Sequence, residues 1–369
     1  MTQFARQPLL TPFRMGDLLL PNRVVMAPLT RQRAANSGHV PTRLQAQYYA
    51  QRATAGVIIS EGTAISPEGY GWVDTPGLWS AEQVSGWRVI TDAVHEAGGR
   101  IIAQLWHTGS ISHPDLLGGA LPVSASEVNP LQQSVTPTGR KPTVTPRSMT
   151  KTEIRRTAAD YGKAAANAME AGFDGVQVQA NYLYLIPQFL NSATNLRTDE
   201  YGGSIENRAR FLFEVLESVL EVVDPGSVGI KIAPMHEGGP FAANDQTLPT
   251  IEYIITRLNN YSLSHLLMMG ASTDFSGSPL ATLTGDGMFQ CFRPIFKGPL
   301  IANVKMDRER GNRLIAEGLA DLIAFGRPYI ANPDLAARFA INAPLNNDIK
   351  QETIYAAGPE GYVDYPEME

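Results

Sequence analysis

One recurring unit constrains this chain more than any other feature. It is a helix end, a glycine, and then a short run that is apolar on both faces. HEAGGRIIAQ, MEAGFDGVQV and AEGLADLIAF each carry it. Gly98, Gly172 and Gly318 suit the left-handed position that closes a helix. Runs of the same kind lie at 23–27, 56–60, 100–105, 175–179, 228–233, 264–268, 299–302 and 321–325. A strand that is apolar on both faces is covered on both. Amphipathic segments separate most of these runs, and strand–helix alternation predicts a parallel sheet. About eight such units with no clear linker predict a closed (β/α)8 barrel, read as one domain over 1–369. A doubly wound sheet would carry a glycine-rich phosphate loop after its first strand. Here Pro28-Leu29-Thr30 follows instead.

Local signals support the helices. Ser80 with Gln83, and Thr150 with Glu153, have capping-box spacing. Asn332-Pro333 reads as a cap followed by a first-turn proline. The helix opened by Ser204 places Leu212, Val215, Leu216, Val219 and Val222 on one face. Residues 109–148 are rich in Pro, Gly and Ser, and read as a long excursion over the barrel mouth after strand 3.

A net charge of -6 argues against nucleic acid or an anionic membrane as partner. Cys291 is the only cysteine, so an intrachain disulfide is impossible and a reducing, cytoplasmic setting fits. The first residues show no secretory pattern, and no run reaches the roughly 18 apolar residues of a membrane span. The expected partner is a small molecule, and the expected state a monomer or homodimer.

In a barrel of this kind the site forms at the C-terminal ends of the strands. Those ends read Pro28-Leu29-Thr30, Glu61-Gly62-Thr63, Gln104 to His107, Gln179 to Tyr184, Lys231, Met268-Met269, Asn303-Val304-Lys305 and Gly326-Arg327. Amides, hydroxyls and aromatics dominate. Hydrolysis by paired carboxylates has no equipment here. His107 and His113 lack metal-ligand support, so no metal is expected. No nucleophile elbow or P-loop occurs. The set suits a flat aromatic cofactor with polar edges.

Several motifs now point to one family: PNRVVMAPLTR, SEGT with GYGWVDTPGLWS, QLWHTG, GFDGV, IPQFLNSATNLRTDEYGGSIENRARF, AFGRPYIANPDL and AAGPEGYVDYP. Together they span nearly the whole chain. The sequence resembles the old yellow enzymes, flavin-dependent ene-reductases on a TIM barrel, of the N-ethylmaleimide reductase-like kind. The resemblance implies FMN on the barrel mouth, with NADPH or NADH as reductant. It implies flavin contacts from Pro28, Leu29, Thr30, Gly62, Gln104, Lys231, Asn303, Lys305, Gly326 and Arg327. Trp106, Tyr70 and Tyr355 would line the substrate pocket. Tyr184 would stand at the proton donor's place, giving its proton to the α-carbon of an activated alkene.

The family motif H-x-x-N-G-Y or H-x-x-H-G-Y reads Gln179-Ala-Asn181-Tyr182-Leu-Tyr184 here. Gln179 and Tyr182 therefore occupy the usual carbonyl clamp, with an amide N–H and a phenol to offer. Lys231 replaces an Arg, keeping charge but losing the planar fork. Val304-Lys305 replaces glycines at the phosphate loop, and Ser110 replaces an Arg. Asp199, Arg208 and Arg210 are read as structural ion pairs. Two other classes stay open: a Schiff-base enzyme using Lys231, and an isomerising catalyst or ligand-binding protein in the same pocket.

Overall fold

The computed structural model describes residues 7–233 and 239–368. Eight parallel strands close into a barrel. They are β1 (Val24–Met26), β2 (Val57–Ala64), β3 (Ile101–Trp106), β4 (Val176–Ala180), β5 (Val228–Ile232), β6 (His265–Met269), β7 (Leu300–Asn303) and β8 (Leu322–Phe325). Each falls on one of the eight runs read from the sequence. Pairing runs in chain order, and β8 closes on β1 through Ile323 with Val24 and Phe325 with Met26. The helices that pack outside include α1 (Arg43–Ala50), α2 (Ala81–Glu96), α3 (Lys151–Glu170), α4 (Leu185–Leu190) and α5 (Ile205–Leu220). Then come α6 (Thr247–Leu258), α7 (Gly287–Phe292), α8 (Arg308–Ala316), α9 (Pro328–Ala331) and α10 (Leu335–Ile341).

The two predicted capping boxes form, with Ser80 and Thr150 accepting from the amides of Gln83 and Glu153. Gly98, Gly172 and Gly318 have φ of 79°, 87° and 69°, the left-handed closure that repeats along the barrel. Two readings change. Asn332 starts no helix; its amide donates to the carbonyls of Pro328 and Asn346, and Asp334 stands at the N-cap of α10. Val222 lies past the end of α5 and is exposed, so only the other four residues of its stripe are buried.

Alternation divides each strand between two cores. Val25, Val57, Ile59, Ile102, Leu267, Ile301 and Leu322 fill the barrel interior. A hairpin of Phe13–Met15 and Leu18–Leu20 contributes Met15 and Leu20 to that cluster, plugging the N-terminal end. The outward residues Val176, Val178, Ile230 and Met268 pack against the helices. The inward set continues upward into polar groups: Gln104, Gln177, Gln179, Lys231, His265 and Asn303 are all buried.

His265 lies opposite Gly229 in the β5–β6 register. A side chain on Gly229 would meet the imidazole, which is held between Gln177 and Ser264. Gly229→Ala is therefore expected to destabilise the fold by about 1–3 kcal/mol through overpacking. A lower urea midpoint with unchanged slope is the readout.

Candidate active site

The floor of the mouth is a directional hydrogen-bond chain. Burial pushes His265 down to about 3, so its ring is neutral. Its Nδ1 pairs with Ser264 Oγ at 2.9 Å, and its Nε2 pairs with Gln177 Nε2 at 2.8 Å. Since that Gln177 atom can only donate, His265 Nε2 accepts and Nδ1 carries the proton. Gln177 Oε1 then accepts from Gln104 Nε2 at 2.7 Å. Gln104 keeps its carbonyl oxygen and one N–H for a ligand. That is the acceptor–donor pair a pyrimidine edge needs.

Two strands on, the Lys231 ammonium is buried and pushed down to about 8 by desolvation alone. Among the described residues no acceptor reaches it. Around the rim, Leu29 on the β1 loop lies beside Gly326, 3.5 Å from where a Cβ there would sit. Pro28 and Thr30 flank Leu29 and are half-buried, and Asn303 ties β7 to β8 through Ala324 O at 2.8 Å. Lys305 and Arg327 are exposed at the ends of those two strands. The amide N–H groups of Val304, Lys305, Gly326 and Arg327 donate to no described residue. These free donors, two exposed cations and a buried unpaired ammonium fit an anionic, flat cofactor such as FMN.

Gly62 is close-packed by a neighbouring side chain. The β2–β3 register shifts between Ile59 and Gly62, and a Cβ on Gly62 would lie 2.8 Å from Trp106 Cε3. The glycine makes room for the Trp106 ring. The same bulge leaves Glu61 buried beneath the β1 loop, accepting from the Arg31 amide at 3.2 Å. Burial pushes its carboxyl up to about 7.

Above the floor stand the aromatics. Trp106 meets Tyr184 edge-on at 5.2 Å, and Tyr182 lies 5.4 Å from Tyr184. Burial drives the Tyr184 phenol well above its ordinary value, and the neighbouring Tyr182 adds to this. The nearby Trp72 indole opposes it in part. Tyr355 packs on Trp72 at 5.6 Å. Tyr70, by contrast, is not brought to this group. It is buried in the wall, stacked on His39 at 4.2 Å, and its hydroxyl accepts from Trp79 Nε1 at 3.2 Å. Trp72, two residues along the same GYGWVD stretch, takes the place expected of Tyr70. Only the turn conformation decides which of the two aromatics faces the mouth.

Gln179 is buried, and its amide bonds to no described residue, with Oε1 left without a donor. Asn181 is turned toward β6, its Nδ2 3.3 Å from Met269 Sδ. Tyr182 sits at φ 62°, a left-handed backbone rare for a bulky residue, and is 42% exposed. It also walls an apolar pocket with Ala180, Leu190, Ile232, Phe241 and Ile254.

Two positioning groups escaped the sequence reading. Gln188 staples the β3 and β4 loops: it donates to Thr108 O and Leu183 O and accepts from the Ser110 amide. This holds Tyr184 and accounts for the glutamine in IPQFLN. Arg31 and Arg33 reach more than 300 residues along the chain to the carbonyls of Thr353, Ile354, Gly358 and Gly361. They fasten the segment that carries Tyr355. Of the expected ion pairs, Asp199 pairs with Arg197 at 2.6 Å, whereas Arg208 and Arg210 mainly serve carbonyls and amides.

Comparison with known proteins agrees with this architecture. Residues 8–346 match the model of the NADH:flavin oxidoreductase / NADH oxidase family. The chain is 40% identical over 370 residues to "Putative 12-oxophytodienoate reductase 2" of Oryza sativa subsp. japonica, covering 98% of this chain and 94% of that one. It is 38% identical to 12-oxophytodienoate reductase 2 of Arabidopsis thaliana, covering 98% and 96%. Among solved structures, morphinone reductase in complex with tetrahydroNAD superposes with a TM-score of 0.90 at 42% identity, covering 98% of each chain. The old yellow enzyme homologue from Zymomonas mobilis gives 0.91 at 42%, covering 97% and 99%. This chain belongs to the NADH:flavin oxidoreductase / NADH oxidase family, as an FMN-dependent oxidoreductase of the old yellow enzyme kind.

Proposed function

We propose that the protein reduces the C=C bond of an activated alkene, an enone or enal, with a substrate clamp altered from the family pattern. FMN, when bound, supplies hydride drawn from NADPH or NADH. Gln104 would hold its pyrimidine edge, Lys231 would face its anionic side, and the β7 and β8 ends would take its phosphate. Pro28, Leu29 and Thr30 would meet the ring. The observation that carries the reading is Tyr184, a buried phenol kept protonated beside Trp106 and Tyr182. A phenol placed there can pass its proton to the α-carbon. Trp72 and Tyr355 would bound the substrate, and the apolar pocket behind Tyr182 suits a hydrocarbon arm. The lone cysteine fits a reducing, cytoplasmic setting.

A visible spectrum of the purified protein tests the cofactor. Flavin bands that bleach anaerobically with NADPH or NADH and recover with cyclohexenone support the reading. A colourless protein that takes up no FMN removes it. The lowered Lys231 amine would also suit a Schiff-base enzyme; borohydride trapping of a carbonyl compound on Lys231 would favour that instead.

Lys231 gives a further expectation. A fall from 10.5 to about 8 means the charged form costs the flavin-free protein on the order of 3 kcal/mol. The unfolded chain holds that proton more tightly. The cost is therefore full below about pH 8 and fades as pH rises toward 10.5. Lys231→Met is expected to raise the melting temperature of the flavin-free protein at pH 7 while weakening FMN binding. Calorimetry and flavin titration read the two opposite signs.

A further inference from the structure

The turn after β7 holds two adjacent non-glycine residues in the left-handed region, Val304 at φ 82° and Lys305 at φ 52°. For a β-branched residue such as valine this is a strained backbone. A conformation of this kind persists only where its surroundings over-determine it. Here the surroundings are specific. Arg310, in the first turn of α8, donates through Nη1 to Val304 O at 3.2 Å and to Lys305 O at 3.0 Å. Its Nε and Nη2 hold Asp286 Oδ1 at 3.0 and 2.7 Å, and Nη2 also reaches Gly285 O at 3.3 Å. Arg313 takes the other carboxylate oxygen at 2.6 Å. Both carbonyls of the turn are thus tied to one guanidinium that is itself anchored. The amides of Val304 and Lys305 donate to no described residue, beside those of Gly326 and Arg327.

We propose that the Asp286-anchored Arg310 is a positioning residue that pins Val304–Lys305 in its left-handed turn, so that the turn's amides form the phosphate cradle for FMN. This rests on the flavin reading above. Arg310 does what glycines at 304 and 305 would do without assistance, since glycine adopts positive φ at no steric cost. Its bond to the Val304 carbonyl turns the N–H of the same peptide, that of Lys305, away from the guanidinium, while the Val304 N–H is set by the Asn303 carbonyl that the Gly270 amide holds. Its role is therefore confined to the phosphate end of the ligand and leaves the ring untouched.

Flavin-stripped full-length protein is titrated with FMN and with riboflavin, which lacks the phosphate, following flavin fluorescence. Arg310→Met is expected to weaken FMN binding about tenfold or more while leaving riboflavin unchanged. Val304→Gly added to Arg310→Met restores FMN affinity toward that of Val304→Gly itself, because glycine removes the valine strain that needs a pin. The inference falls if Arg310→Met binds FMN like wild type, if riboflavin affinity drops in parallel, or if Val304→Gly gives no rescue. Wild-type protein that binds neither flavin overturns the flavin reading itself, and the pin with it.

Discussion

Replacing Tyr184 by Phe is expected to slow reduction of every accepted enone by about 10²–10⁴-fold, the usual worth of a positioned general acid. Bleaching of the flavin by nicotinamide should be unchanged. The substitution deletes one oxygen and leaves the ring against Trp106 and Tyr182, so the packing that sets the mouth survives. The physical basis is the phenol's environment. The hydroxyl is buried against Trp106 and Tyr182, and although burial raises its pKa, the nearby Trp72 indole opposes that rise in part. Anaerobic stopped-flow separates the two halves of the cycle. Equal reoxidation rates for Tyr184→Phe and wild type, with all accepted alkenes, would sink the proton-donor assignment.

The second large effect is a gain. Gln179→His with Tyr182→Asn rebuilds the family's carbonyl clamp, and is expected to raise turnover of cyclohexenone about 10²-fold, the scale of one oxyanion donor. Two features of the site favour the exchange. The Gln179 amide has no partner to lose among the described residues, and its buried oxygen is unsatisfied. Tyr182 sits at φ 62°, where a bulky residue is strained by about 1–2 kcal/mol and Asn is far better tolerated. The variant should therefore unfold at higher denaturant as well as turn over faster. A phenol titration gives a second readout, since a rebuilt clamp should produce a charge-transfer band stronger than wild type's. No change in either rate or band would show that substrate recognition lies elsewhere, for example in the apolar pocket behind Tyr182.

The barrel was legible from the sequence because its signals are local. A run apolar on both faces, a capping box and a closing glycine are each written within a few residues. All eight strands fall on runs chosen from that pattern. Gln104, Lys231 and Asn303 were legible as inward positions too, because strand alternation fixes which residues face the barrel interior, and all three are buried there. Irregular segments were less readable. Asn332-Pro333 has the composition of a helix start, yet the asparagine is consumed by carbonyls at Pro328 and Asn346. Tyr70 and Trp72 are equally aromatic and two residues apart. Which one reaches the mouth depends on where Trp79 Nε1 and His39 lie.

By itself, then, the sequence determined the alternation, the closure into eight units and the set of strand ends that can meet a cofactor. Tertiary structure alone decided how those ends are held. Glu61 is buried beneath the β1 loop only because the β2–β3 register slips next to it. Tyr355 is set over the mouth by Arg31 and Arg33, more than 300 residues away. Val304 and Lys305 stand at positive φ because Arg310 and Asp286 meet there. The reason is one of range. Hydrophobic period and capping act between neighbours along the chain, whereas burial, strain and pKa depend on partners that only the folded chain brings together.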